Sequence, residues 1–353
     1  MRIVQMLPTV AYGDAVGNDT LALYNALVEN GFKTAIYAEN IDSRLKNRDI
    51  FYINDYKDDS ENIILYHLST GTSLNYKIKE YKAKIIVIYH NITPPKFFEK
   101  YSSDATKLCE EGVKGLKALS SVPIACFADS KHNANELVSS GYKCPIEVLP
   151  ILMPFDDYKK QYSQNIYDKY NDDYVNILFT GRIAPNKKQE DIIAAFDYYH
   201  KVINSKSRLF LVGNYNESDL YYSKLKQYVE ELSIDEVYFS GHIKFDEILA
   251  YYAVSDVFLC LSEHEGFCVP IVESMLFELP IIAYDCTAVG ETMAGGGILL
   301  PEKTPQVVAE AIDILMNDKS IKNRIIHNQK VRLNDFDNEI IEKKFIELLK
   351  KYI

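Results

Sequence analysis

Two glutamates, Glu265 and Glu273, stand eight positions apart in the stretch LSEHEGFCVPIVESM, residues 261–275. Gly266 between them frees the backbone, and Pro270 suits the first turn of a helix. The apolar run DVFLC, residues 256–260, reads as a buried strand leading into the stretch, and a helical pattern follows it. A strand-to-helix corner points backbone N–H groups and a helix N-terminus at one spot, which suits a phosphate. Carboxylates on either side can accept hydrogen bonds from sugar hydroxyls. The local chemistry is that of a nucleotide-sugar site.

Cations follow the run 175–180 in the sequence Gly181-Arg182-Ile183-Ala184-Pro185-Asn186-Lys187. A planar Arg fork and a Lys point charge on one loop can converge on a diphosphate. His90 closes the run KIIVIY, residues 84–89, where it can contact a substrate hydroxyl or stabilise developing charge. His67, after an earlier run, is a weaker candidate of the same kind. Near the start, Gly13, Asp14, Gly17 and Asn18 form a turn that opens a helix, with Asn18 or Asp19 as N-cap and Tyr12 at its head. This loop is neither G-x-G-x-x-G nor a Walker P-loop. Ser130 reads as a helix cap, and Glu291 as a capping or orienting residue. Gly241-His242-Ile243 offers backbone to a flat base, and Asp335-x-Asp337 reads as the cap region of the last helix, with no metal assigned.

These loops need elements to hold them. Short β-rich runs at 2–7, 33–38, 62–66, 84–89, 123–128 and 146–149 alternate with amphipathic ones, such as 20–30 with Leu21, Leu23, Leu27 and Val28 ahead of Gly31. Residues 150–172 break the pattern and read as a linker with one short helix. Alternation resumes at 175–180, 209–212, 237–240, 256–260, 280–284 and 297–300. A terminal amphipathic helix at 338–353 carries Ile340, Ile341, Phe345, Leu348, Leu349 and Tyr352. Strands alternating with helices imply parallel sheets covered on both faces, here as two similar α/β domains with a cleft between them. Ligands of such sheets bind outside the carboxyl ends of the strands, where all these loops lie.

The chain has 353 residues, 47% hydrophobic and 25% charged, too long for one core and ordinary for a globular protein. Its net charge of −11 argues against nucleic acid as a partner. Residues 1–150 hold 17 basic against 18 acidic residues, leaving 22 against 32 in the remainder. The near-neutral half bears a lysine cluster, Lys77, Lys79, Lys82 and Lys84, that could touch an anionic acceptor or a membrane surface, or simply be a solvated face. No apolar run has the length of a membrane span or the form of a signal peptide, so the expected location is cytoplasmic, with peripheral contact at the inner membrane face as an option. Six scattered cysteines read as reduced core or loop residues, not as a disulfide frame or a zinc site.

Taken together, the motifs resemble those of the group 1, or family 4, retaining glycosyltransferases of the GT-B fold. The resemblance runs through the first Gly-containing loop, His90, Gly181-Arg182 with Lys187, Gly241-His242, and above all Glu265-x7-Glu273 with Gly266, Phe267 and Pro270. It implies an acceptor-side Rossmann-like domain at 1–150, a donor-binding one at 151–336, and a terminal helix at 337–353 that crosses back to the first. It also implies roles. Arg182 and Lys187 would neutralise the leaving diphosphate, Glu265 would contact sugar hydroxyls, and Glu273 the ribose. Gly266, Phe267, Cys268 and Val269 would offer backbone N–H groups, and His90 would face the reacting sugar. Configuration would be retained without a covalent nucleophile, metal or other cofactor. The donor would be a UDP- or GDP-sugar, and the acceptor a hydroxyl of a glycan, lipid-linked or protein partner in cell-surface polysaccharide building. The first loop departs from the family's frequent Gly-Gly pair, having Gly13-Asp14-Ala15. A nucleotide-sugar epimerase, a phosphorylase and a non-catalytic scaffold with the same fold are the alternatives.

Overall fold

A computed structural model describes residues 1–11, 13–45 and 49–353, so Tyr12 lies outside the described residues. Among them the chain forms two compact units. The first takes residues 1–96, 103–154 and 336–353; the second takes 97–102 and 155–335. The segment 97–102, which the sequence pattern leaves in the first domain, groups with the second because Tyr101 packs edge-on to Tyr221, ring centroids 5.1 Å apart.

The first unit is built on β1 (Ile3–Val10), β2 (Thr34–Ile41), β3 (Ile50–Tyr52), β4 (Ile63–Leu68), β5 (Lys84–Tyr89), β6 (Ala125–Ala128) and β7 (Ile146–Val148). They pair in the order β3-β2-β1-β4-β5-β6-β7, every ladder parallel. β3 is three residues long, too short to announce itself by alternation. The second unit uses β8 (Val175–Thr180), β9 (Ser207–Val212), β10 (Val237–Gly241), β11 (Val257–Cys260), β12 (Ile281–Tyr284) and β13 (Ile298–Leu300), in the order β10-β9-β8-β11-β12-β13, again all parallel. In each sheet the order reverses beside the unit's first strand, between β1 and β4 and between β8 and β11. Loops diverge there and leave a crevice at the carboxyl ends.

Burial follows from the parallel arrangement. β4 and β9 are buried along their whole length, as strands covered on both faces must be. One face of the first sheet packs Met6, Tyr66, Val87 and Leu116, and the other packs Leu65, Phe127, Phe345 and Leu349. The last two come from the terminal helix Asn338–Lys350, so the chain's end returns to the first unit. Phe345 meets Phe127 edge-on at 6.4 Å and is fully buried. Burying such a side chain contributes about 1.5 to 3 kcal/mol. The helix's phase buries Ile341, Phe345, Leu348 and Leu349 at helical spacing. Ile340 stays 57% exposed, correcting the stripe expected from sequence.

Two further local readings are corrected. The first helix is Ala15–Glu29, and its N-cap is Asp14, not Asn18 or Asp19; the Asp14 carboxylate accepts from the Gly17 N–H at 3.2 Å. That helix begins earlier than apolar periodicity suggests, and Gly17 in its first turn lies against backbone. A Cβ there would sit 2.2 Å from the Ala11 carbonyl oxygen. The linker region holds two short helices, Phe155–Tyr158 and Gln164–Tyr170. Ser130 caps Lys131–Ser139 and Asp337 caps the terminal helix, as their positions predict.

Candidate functional site

In the second unit, the loops leaving β8 and β11 bring the two conspicuous motifs together. Both carboxylate oxygens of Glu265 lie 2.6 Å from Lys187 Nζ. The pair sits at the reversal point of the sheet. Asn186 ties the two loops: its side-chain amide donates to the His264 carbonyl at 3.1 Å, and its own carbonyl accepts from the Glu263 N–H at 2.9 Å. Lys188, in the left-handed region at φ 54°, ends this turn and opens the helix Gln189–Tyr198. Burial opposes the charge on Lys187, but Glu265 outweighs it and holds the ammonium above the ordinary lysine value.

Behind Glu265 stands a clasp that sequence reasoning missed. The Glu265 N–H donates to the Thr287 hydroxyl at 2.9 Å, and that hydroxyl donates to the Glu265 carbonyl at 2.8 Å. Thr287 has φ 41°, a left-handed conformation that a β-branched residue adopts only under constraint. Thr292 donates to the Phe267 carbonyl at 2.5 Å, so two hydroxyls from one segment fix the 265–267 backbone. Phe267 and Cys268 are buried, and Cys268 (φ 71°) precedes the helix Val269–Leu276.

Glu273 lies one helical turn into that element, with its oxygens 2.6 Å from the hydroxyls of Tyr158 and Tyr252. Tyr252 in turn meets Thr180 at 2.5 Å. Burial raises the Glu273 pKa, and the two tyrosines partly offset the rise. Arg182 is exposed, and beside it opens a cavity of about 520 Å³ whose lining includes Asn214, Tyr215, Asn216 and Glu217. Gly181 and Gly241 take positive φ, 143° and 65°, at the ends of β8 and β10. A Cβ on Gly241 would lie 3.6 Å from the Tyr215 ring; His242 is exposed, and Ile243 packs onto the core.

The first unit assembles a different cluster at the carboxyl ends of β4, β5 and β6. His90 Nδ1 lies 3.0 Å from an Asp129 oxygen, and His90 Nε2 lies 2.8 Å from His67 Nδ1. His67 Nε2 lies 2.8 Å from Gln5 Oε1, and an Asp19 oxygen is 4.0 Å from His90 Nε2. The His90 side chain is only 1% exposed. A role facing a sugar would therefore require its neighbours to part. Gly13 (φ 77°), Asp14, Gly17 and Asn18 lie at the start of the adjoining helix, where Asp14 is committed as its cap. Burial lifts Asp19 to about 7, partly offset by His90. Lys77, Lys79, Lys82 and Lys84 are exposed.

Among the described residues two groups have donor atoms within 4.8 Å of one another, as a metal site requires: Asp19, His67 and His90 in the first unit, and Cys260, Glu265 and Cys268 in the second. In the second, Lys187 already neutralises the carboxylate, so the residues fit a cation poorly. No helix among the described residues is long and apolar enough to cross a membrane.

Residues 163–332, which contain Arg182, Lys187, Glu265 and Glu273, match the family model described as glycosyl transferases group 1. The second unit is a group 1 glycosyl transferase domain. The chain is 29% identical over 183 residues to the capsular polysaccharide biosynthesis glycosyltransferase CapM of Staphylococcus aureus, covering 48% of this chain and 44% of that one. It is 25% identical over 288 residues to an alpha-monoglucosyldiacylglycerol synthase of Acholeplasma laidlawii, covering 77% and 66%. Matches thus span about half the length of most such relatives. In fold, the chain is similar to Anabaena HepE, solved with UDP and glucose: TM-score 0.74, 17% identity, 99% of both chains covered. The group 1 transferase domain and the GT-B architecture of two parallel-sheet units therefore rest on independent observations. Within the domain, Lys187 and Glu265 are in contact, Arg182 leaves the same strand as Lys187, and Glu273 sits with two tyrosines.

Proposed function

We propose that the chain is a retaining glycosyltransferase that moves a hexose-type sugar from a UDP- or GDP-sugar to a hydroxyl of a glycan, lipid-linked or protein acceptor. The observation that carries this reading is the Lys187–Glu265 pair at the reversal point of the second sheet, with exposed Arg182 on the same loop. The nucleotide and sugar bound to HepE, and the polysaccharide and glycolipid roles named for the relatives, agree with it.

In this reading the cost of the reaction lies in the charge that develops on the departing diphosphate. Arg182 and Lys187 supply fixed positive charge where it appears, which lowers the barrier without reorganisation. Glu265 has two tasks. It orients Nζ of Lys187, and its remaining lone pairs accept from hydroxyls of the transferred sugar. The clasp from Thr287 holds that carboxylate's backbone still, and pre-organisation of this kind converts binding into orientation. Glu273 accepts from ribose hydroxyls, sharing its oxygens with Tyr158 and Tyr252 or exchanging one of them. We propose further that the two cations make a divalent metal unnecessary, and that the first unit carries the acceptor, with its exposed lysines favouring an anionic or membrane-borne one.

The test is release of nucleoside diphosphate from a panel of UDP- and GDP-sugars offered with glycan, lipid-linked and peptide acceptors. One donor should support turnover, insensitive to chelator and abolished by Glu265→Ala. Absence of turnover with every donor, together with no nucleoside diphosphate binding, would end the reading.

A further inference from the structure

The His67–His90 contact in the first unit carries more information than its length. Their ring planes are parallel within 3°, with centroids 5.1 Å apart and the facing nitrogens at 2.8 Å. The centroid separation is what the N···N contact and two ring radii add up to, so the nitrogens face each other along one line. Two nitrogens bound to one ion at about 2.0 Å would instead sit roughly 3.3 Å apart and turn away from each other. The geometry is that of an N–H···N hydrogen bond, and the question is where the protons come from.

Each end of the line fixes part of the answer. The Gln5 side-chain amide N–H donates to the Thr20 carbonyl at 2.9 Å, which leaves Gln5 Oε1 as the acceptor facing His67 Nε2. His67 therefore carries its proton on Nε2. Among the described residues the hydroxyl near His67 Nδ1 is that of Thr20 at 3.5 Å, and it spends its hydrogen on the Val16 carbonyl at 2.7 Å. Burial holds the His67 pKa well below its ordinary value, so Nδ1 is a lone pair, and among the described residues His90 Nε2–H is the donor that meets it. On the far side, a proton must also lie between His90 Nδ1 and the Asp129 carboxylate at 3.0 Å. The line Gln5–His67–His90–Asp129 has three gaps and needs a proton in each. Two neutral imidazoles supply two. The third makes His90 an imidazolium beside a carboxylate, or Asp129 a carboxyl donating to a neutral His90; either way the group is uncharged overall.

We propose that His67 is a positioning residue that keeps the His90–Asp129 pair loaded with one proton and holds His90 Nε2 as a donor. Among the described residues three carboxylates act on His90: Asp129 after β6, Asp19 at 4.0 Å in the first helix, and Asp14 at that helix's cap. Burial opposes charge on His90, but Asp129 and then the others outweigh it and leave the ring above its ordinary value. For the transferase reading on which this rests, the consequence is specific. His90 is excluded as the base that would take an acceptor proton through Nε2, because that nitrogen has no lone pair while His67 faces it.

The experiment is ¹⁵N NMR of the full chain labelled at histidine, followed from about pH 5.5 to 8.5, with His67→Gln and His90→Gln used for assignment and metal content read by mass spectrometry. The expected result is a His67 ring fixed as the Nε2–H tautomer and a His90 Nε2 that stays protonated throughout. Titration of either ring near the ordinary histidine value of about 6.5, or one retained zinc per chain, overturns the proposal. The spectrum is read on the wild-type chain, and the variants serve only to assign its signals. A second arm measures turnover. Folded His67→Leu should lose activity by about tenfold per pH unit above a new ionisation, where the wild type is flat; a variant as flat as the wild type contradicts the proposal. Nucleoside diphosphate binding should be unchanged by His67→Leu. If neither chain binds nucleotide, it is the transferase reading that fails, while the NMR result still decides the proton.

Discussion

Both units place ionisable groups at the carboxyl ends of parallel strands, yet they treat charge in opposite ways. In the first unit, His90, Asp129 and Asp19 are 1–4% exposed and satisfy one another. In the second, Glu265 is similarly buried, but its partner Lys187 is 22% exposed and Arg182 more so. One site closes its electrostatics internally; the other leaves cationic charge turned outward on a carboxylate anchor. Charge that must act on a ligand has to remain under-compensated, whereas charge that only sets geometry is best neutralised where it stands. On this contrast the proposed transfer chemistry belongs to the second unit, while the groups of the first set one another's geometry.

The contrast breaks most visibly at Lys187. Lys187→Ala removes charge from the diphosphate and strands Glu265, so turnover should fall by a factor on the order of 10²–10³ and stability by roughly 2 kcal/mol. Steady-state kinetics and a denaturant midpoint report both. Arg182→Ala separates the two effects. Turnover should drop about 10²-fold, but an exposed side chain leaves the midpoint within about 0.5 kcal/mol. Equal losses of stability in both variants would mean that the outward charge is structural. Thr287→Val deletes the hydroxyl that meets the Glu265 N–H and should cost about 1–3 kcal/mol, with a raised donor KM.

The first unit offers a pH test. Asp19 has its pKa raised by burial from 3.8 to about 7, so the folded chain keeps a proton that the unfolded chain has released. That contribution to stability is fully present below about 3.8 and is lost as pH rises through about 7. Asp19→Asn keeps an oxygen for the Leu152 N–H, which Asp19 accepts at 2.9 Å, and should flatten this dependence. Melting temperatures of both chains across that range check it. The smallest effect belongs to Asp14→Ala, which loses an N-cap worth about 1 kcal/mol and leaves donor binding unchanged.

The strands and the loops that follow them were legible because parallel strands advertise themselves as apolar runs and their exits as Gly, Pro and charge. Arg182, Lys187 and Glu265 were visible as candidates for the same reason, since each stands just past such a run. What stayed hidden depends on distance along the chain. Asp129, next to the cap residue Ser130, meets His90 from 39 positions away, and Tyr158 meets Glu273 from 115. Nothing in local pattern marks such partners; Thr287 looks like any loop threonine until its backbone is seen at φ 41°. His90 and His67 were visible at their strand ends, and Gln5 in the middle of an apolar strand was a further signal for the first-unit line, because a polar side chain buried there needs a partner.

The central claim, that the outward charge of the second unit exists to hold a nucleoside diphosphate, is tested most directly by thermal shift with UDP, GDP and ADP on the wild-type chain and Arg182→Ala. At a hundred times its dissociation constant, a ligand stabilises the chain by about 3 kcal/mol. The account predicts a clear upward shift with UDP or GDP, greatly reduced in Arg182→Ala, whose own melting temperature equals the wild type's. No shift with any of the three nucleotides, or an equal shift in both chains, would contradict it.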